Sequence, residues 1–123
     1  MGEAILQRTG GAIPVGGLRE RLVVNDVLFS GDAAGFTHPI SGAGIAAAVV
    51  SGERAGLATA EYLGGARAAL DDYEEDMRDQ FEPGLARAVA RRRHMLDSWR
   101  GAEAGQDGFH RRGWIAFPEY FAA

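Results

Sequence analysis

Val27-Leu28-Phe29-Ser30-Gly31-Asp32-Ala33-Ala34-Gly35-Phe36-Thr37-His38-Pro39-Ile40-Ser41-Gly42-Ala43-Gly44-Ile45 decides how the rest of this chain is read. A β-rich run ends on Gly-Asp, which predicts a buried strand that delivers the Asp32 carboxylate at its carboxyl end, with Gly31 and Gly35 clearing space around it. Gly42-Ala43-Gly44 then opens a helix. A helix start presents free backbone N–H groups and partial positive charge to an electron-rich or anionic group. A carboxylate beside it can accept hydroxyl protons from a sugar or polyol. Together these elements predict a pocket for a polyhydroxy cofactor next to a group that becomes anionic.

Outward from that stretch, Leu22-Val23-Val24 and Val27-Leu28-Phe29 flank Asn25-Asp26, a pair suited to a turn, and the second run is expected to be a strand over Val27 to Ser30. Upstream, Ala4 to Arg8 is expected to be a strand, followed by loops broken at Gly10-Gly11, Pro14 and Gly16-Gly17. Downstream, a helix is expected from about Gly42 to Leu63, closed by Gly64-Gly65, where a left-handed residue terminates a helix. Gly44, Ala48, Gly52, Gly56 and Ala60 share one face of it and predict close approach of another backbone. Leu70, Tyr73, Met77, Phe81, Leu85, Val89, Leu96 and Trp99 recur at three and four, an amphipathic stripe that predicts helix over Ala69 to Arg100. Pro83-Gly84 predicts a kink, or two helices meeting near Glu82. Gly101 to Gly108 reads as loop, and the aromatic run Trp114 to Phe121 is expected to dock on something apolar.

The chain has 123 residues, one domain's worth, with a net charge of −4 and no cysteine. The charge disfavours nucleic acid, and the missing thiols exclude disulfides, iron–sulfur clusters and thiolate zinc sites. All 13 basic residues are arginine, so no catalytic lysine is present. No apolar run approaches the roughly 20 residues of a spanning helix, so no transmembrane segment and a cytoplasmic location are expected. Asp32, His38 and Ser41 invite a Ser-His-Asp reading, but Pro39 stands where a nucleophile elbow requires glycine. His38 could move a proton or simply shape its turn.

Gly31-Asp32-Ala33-Ala34-Gly35, then Pro39, Gly42, Gly44-Ile45 and Ser51-Gly52 with Ala55, resembles the second FAD-binding motif of the geranylgeranyl reductase family, within the para-hydroxybenzoate hydroxylase-like flavoproteins. The resemblance runs from about Ile13 to Trp99, and more loosely through Trp114 to Tyr120. It implies an α/β fold: the C-terminal portion of a Rossmann-like FAD-binding domain followed by a long α-helical segment. It implies that residues 1–20 end a substrate domain, 21–65 form the second FAD motif, 66–100 the amphipathic helical segment and 101–123 an aromatic C-terminal tail. It implies cofactor contacts at Gly31, Asp32, Pro39, Gly42, Ala43, Gly44 and Ile45. Asp32 would bind a ribityl hydroxyl, and the turn from Pro39 to Gly44 would lie against the flavin's pyrimidine edge, where backbone amides stabilise negative charge on the reduced ring. No catalytic side chain is identified.

The family's Gly-x-Gly-x-x-Gly loop for the FAD pyrophosphate has no counterpart here. Gly42-Ala43-Gly44-Ile45-Ala46-Ala47 matches the pattern but follows Thr37 to Ser41 rather than a strand. The chain is therefore expected to be part of a longer flavoenzyme, whether a gene fragment, a truncated polypeptide or half of a split protein, with an N-terminal FAD-binding portion as its missing partner. The implied reaction is reduction of carbon–carbon double bonds in an isoprenoid or other apolar substrate. An aromatic-ring hydroxylase is the alternative within the superfamily, often with histidine where Gly35 stands, and a non-catalytic remnant or interaction domain is the alternative outside it.

Overall fold

The computed structural model describes residues 10–122; the strand expected over Ala4 to Arg8 lies outside them. The described chain is mostly helical. Strand β1 (Val23–Val24) pairs antiparallel with β2 (Val27–Leu28), Val23 opposite Leu28 and Val24 opposite Val27. Asn25 and Asp26 both take positive φ, 48° and 63°, the backbone of a two-residue turn matched to strand twist and tolerated by Asn and Asp.

The buried strand leading into Asp32 is corrected in two respects. Val24 and Val27 are 40% and 54% exposed, so the ribbon turns one face to solvent while Val23 and Leu28 face the core, and it does not fill a sheet interior. The strand also stops at Leu28, and Asp32 lies inside a single helical turn, α1 (Gly31–Ala34), where the sequence reading required it to stand outside any helix. The reason is Gly31: its φ of 55° swings the chain after Ser30, and Gly35 N–H and Phe36 N–H then close back on Asp32 O and Gly31 O at 3.0 and 3.2 Å. Gly35 has φ 83°, and a Cβ there would collide with the carbonyl oxygen of Gly17. The segment 17–19 passes this close because Arg19 N–H bonds Ala34 O at 3.0 Å.

Helix α2 (Ile45–Leu63) and helix α3 (Ala69–Ser98) form an antiparallel hairpin, tied by Arg54 to Asp76 at 3.7 Å. Gly65, at φ 104°, supplies the left-handed residue expected after Leu63. Helix α3 runs unbroken through Pro83, so the expected alternative of two helices meeting near Glu82 does not hold. Pro83 is exposed, so the backbone carbonyl that loses its donor faces water. A short 3₁₀ turn (Ala102–Gly105), helix α4 (Asp107–Gly113) and a second 3₁₀ turn (Pro118–Tyr120) follow, in place of an open loop over Gly101 to Gly108.

The core gathers Leu22, Ala34, Phe36, Ala58, Leu70, Tyr73, Met77 and Leu85, with Phe81 edge-on to Phe36 at 4.9 Å. The α3 stripe is buried as its spacing predicts as far as Ala88, but Leu96 and Trp99 are 61% and 58% exposed. Glu74 couples the ribbon to this helix, accepting from Val23 N–H at 3.1 Å, Arg21 at 3.3 Å and Arg78 at 3.2 Å. Tyr73 donates to Phe29 O at 2.7 Å, and burial pushes its phenol up to about 12.

The small-residue face is only partly engaged. Ala48 packs on Gly31, but a Cβ on Gly52 or Gly56 would meet nothing among the described residues. The buried face of α2 is rotated away from these glycines, through Ala47, Ser51, Ala55, Ala58 and Tyr62. Ile45, Val49 and Leu63 share the open face and are 86%, 65% and 79% exposed.

Candidate functional site

The site is assembled where α1 meets the start of α2. Ser51, fully buried nearly two turns inside α2, accepts the Gly31 N–H at 2.9 Å and donates to Ala48 O at 3.3 Å. This pins the α1 turn to α2 and sets where Asp32 projects. Asp32 is exposed, and its Oδ1 accepts the hydroxyl of Thr37, which is almost wholly buried. A Cβ on Gly44 would lie 3.2 Å from Asp32 Oδ1 and 3.3 Å from Thr37 Oγ1. Asp32, Thr37 and Gly44 therefore converge, and the bare backbone of Gly44 leaves room for the pair.

Residues 38–43 form a tight loop: Gly42 N–H bonds His38 O at 2.9 Å, and His38 N–H bonds Ala43 O at 2.8 Å. Gly42 takes φ 71°, a conformation that suits glycine. The His38 ring closes the loop from within. Its Nδ1 accepts Ser41 N–H at 3.2 Å and Ile40 N–H at 3.4 Å, so the ring proton sits on Nε2, 3.5 Å from the Tyr120 hydroxyl. Burial lowers its pKa, keeping the ring neutral and the Nδ1 lone pair available. His38 thus shapes the turn. The triad arrangement is absent: Ser41 Oγ does lie 3.1 Å from His38 Nδ1, but Asp32 is bonded to Thr37 instead of the imidazole.

Pro39 is buried, and its carbonyl accepts from Arg92 at 3.2 Å, which fastens the loop to α3. Helix α2 then begins without a side-chain cap, so its first N–H groups have no intrahelical acceptor. In front of them lies a groove of about 460 Å³ bounded by Phe36, His38, Gly44, Ala47, Phe81 and Leu85. Its walls are almost entirely apolar. A ligand there would meet the uncapped helix start at one end and a hydrocarbon wall along its length.

Of the residues singled out in the sequence, Gly31, Asp32 and Gly44 come together; Pro39, Gly42 and Ala43 form the adjoining loop; Ile45, at 86% exposure, begins α2 with its side chain outside the cluster. Thr37 and Ser51 were not assigned roles by the sequence reading. The available signal was position: a hydroxyl five residues after the aspartate, and one on the α2 face that carries Gly44 and Ala48.

No protein-family profile matches the chain, and no solved structure matches it. Two curated proteins do. Over 79 residues it is 33% identical to digeranylgeranylglycerophospholipid reductase 1 of Methanococcoides burtonii, covering 64% of this chain and 18% of that protein. Over 71 residues it is 37% identical to digeranylgeranylglycerophospholipid reductase of Methanosarcina acetivorans, covering 58% of this chain and 17% of that protein. The chain thus spans less than a fifth of the length of the curated relatives it matches. The resemblance to geranylgeranyl reductases read from the sequence is accordingly matched by two named reductases of that family.

Proposed function

We propose that this chain is the C-terminal part of an FAD-dependent reductase that saturates carbon–carbon double bonds in an isoprenoid or another apolar substrate. The observation that carries the reading is the convergence of Asp32, Thr37 and Gly44 beside the uncapped start of α2, facing an apolar groove. These residues fit part of FAD. The exposed Asp32 carboxylate can accept a ribityl hydroxyl while Thr37 orients it, and the loop from Pro39 to Gly44 offers backbone amides to the pyrimidine edge. When bound, the reduced flavin supplies the hydride equivalent. The chain's own residues hold that edge, stabilise its negative charge and line an apolar approach through Phe36, Phe81 and Leu85.

In this reading residues 21–65 are the second FAD motif of a Rossmann-like domain, 1–20 the end of a substrate domain, and the pyrophosphate loop belongs to an N-terminal portion of the same enzyme. Residues 66–100 brace the motif and 101–123 cover the far end of α3. Among the described residues none forms a strand followed by Gly-x-Gly-x-x-Gly. The 123 residues alone should therefore copurify with little or no FAD, while the longer protein should be yellow. A hydrogen bond to a charged group contributes about 1.5 to 3 kcal/mol, so Asp32→Ala in the longer protein should weaken FAD roughly ten- to a hundredfold, measured by fluorescence titration. Stoichiometric tight binding by the 123 residues would overturn the partial-site reading, and an unchanged Kd for Asp32→Ala would remove that residue from the site.

A further inference from the structure

The aromatic run from Trp114 to Phe121 buries one ring almost completely, that of Tyr120 in the second 3₁₀ turn. Two helices hold this turn. Arg91 of α3 donates to Tyr120 O at 3.2 Å and to Ala122 O, Arg87 of α3 lies over the Phe121 ring at 5.6 Å, and Arg111 of α4 pairs with Glu119 at 2.6 Å. The next residue along α3, Arg92, donates instead to Pro39 O at 3.2 Å. Consecutive arginines thus fasten the terminal turn and the loop 38–43 to the same stretch of helix. Tyr120 spans the gap between them: its hydroxyl lies 3.5 Å from His38 Nε2, from 82 positions farther along the chain.

We propose that Tyr120 is a positioning residue for the candidate site: its hydroxyl accepts the His38 Nε2–H and orients the imidazole so that Nδ1 collects the N–H groups that curl the loop before Gly44. A neutral imidazole offers one donor and one acceptor, and the partner of one nitrogen fixes what the other can do. The torsion that sets the tilt of a histidine ring is broad, so the ring's orientation comes from its partners. Much depends on that orientation. Nδ1 takes Ser41 N–H at 3.2 Å and Ile40 N–H at 3.4 Å, and it lies 3.1 Å from Ser41 Oγ, which itself accepts Ala43 N–H at 3.3 Å. A ring that swung away would release these groups together. His38 N–H also bonds Ala43 O at 2.8 Å, so the loop's curvature sets how the chain enters Gly44 and the uncapped start of α2. The terminal turn therefore acts on the site through one hydroxyl and one imidazole. The inference rests on the proposed reductase only for what the loop would hold.

Tyr120→Phe keeps the buried ring and removes only the hydroxyl, so the far-ultraviolet circular dichroism should be unchanged. Proton–nitrogen NMR of the 123-residue protein should show His38 as the Nε2–H tautomer, with an Hε2 signal protected from solvent. The variant should lose that signal to exchange with water. Amide hydrogen exchange at Ile40 and Ser41 should quicken roughly three- to tenfold, the factor one net hydrogen bond contributes, while Met77 in the middle of α3 keeps its rate. His38→Asn separates positioning from packing. The asparagine oxygen can still accept an N–H two residues on, but the side chain is too short to reach Tyr120. In that background Tyr120→Phe should leave loop exchange unchanged, the non-additivity expected of residues that act through each other. An Nδ1–H tautomer in the unsubstituted protein, loop exchange unaffected by Tyr120→Phe, or the same quickening in both backgrounds would overturn the proposal. None of these measurements involves flavin, so they succeed or fail independently of the reductase reading.

Discussion

Ser51→Ala tests the central joint of the site. Ser51 is fully buried and supplies the acceptor for Gly31 N–H at 2.9 Å, on a residue that is itself buried. Alanine leaves that buried N–H without its protein partner, a loss of about 1 to 3 kcal/mol. The bond from Ser51 to Ala48 O is long, 3.3 Å, and ends on a helix carbonyl, so it adds little. Alanine's better helix propensity returns about 0.5 kcal/mol, leaving a net destabilisation of about 1 to 2 kcal/mol. Urea titration followed by circular dichroism should show a lower midpoint with an unchanged slope, and the thermal midpoint should fall by about 4 to 8 °C. Thr59→Ala is the internal control: its hydroxyl bonds Ala55 O at 2.7 Å from an exposed position and removes no buried partner. If the two variants melt alike, Ser51 does not pin the α1 turn. The account of how Asp32 is positioned would then be wrong.

Glu74 should leave a signature in acid. Burial raises its carboxyl pKa, but the N–H groups of Leu22 and Val23 and the Arg78 and Arg21 guanidiniums more than reverse this, and the net value lies below the ordinary one. Its stabilisation is present above the unfolded carboxyl pKa and is lost as pH falls through the lowered folded value. Glu74→Gln should therefore destabilise by about 1 to 3 kcal/mol at neutral pH and flatten the decline in stability on acidification, as read by urea midpoints across pH; parallel pH profiles would contradict the linkage. Gly52→Leu should change the stability of the 123 residues by less than about 0.5 kcal/mol, since nothing lies near its Cβ. In the longer enzyme proposed above, the same change should lose about 1 to 3 kcal/mol by overpacking, and equal effects in the two would show that the open face of α2 stays in solvent.

The helices were legible because periodicity is local. The α2 terminus at Leu63 and the α3 stripe through Leu85 follow from spacing and from the Gly64-Gly65 stop. What failed depends on partners that spacing does not name. A run of Val and Leu predicts burial only if another sheet strand or helix covers it, and Val24 and Val27 here have none on their outer side. The glycine face failed for the same reason: period four aligns the small residues but does not say which neighbour they meet. The loop chemistry of His38 needed coordinates, because its sequence neighbours admit both a proton carrier and a turn-former. The direction of its Nδ1 lone pair is what separates the two.

Gly35 bears on the reaction type in a way its place in the motif hides. The sequence reading sets glycine here against the histidine expected in the alternative aromatic-ring hydroxylase, which makes it look like a vote for reduction. Its backbone is left-handed, and any Cβ would strike the carbonyl of Gly17 as residues 17–19 cross on their way to Ala34. A histidine could enter only if that crossing segment were rebuilt. The identity of residue 35 is thus a readout of local chain routing, and the same routing would impose glycine on a hydroxylase built this way. On the proposed reading, the reaction type would be set farther along, at the open groove between Phe36 and Leu85.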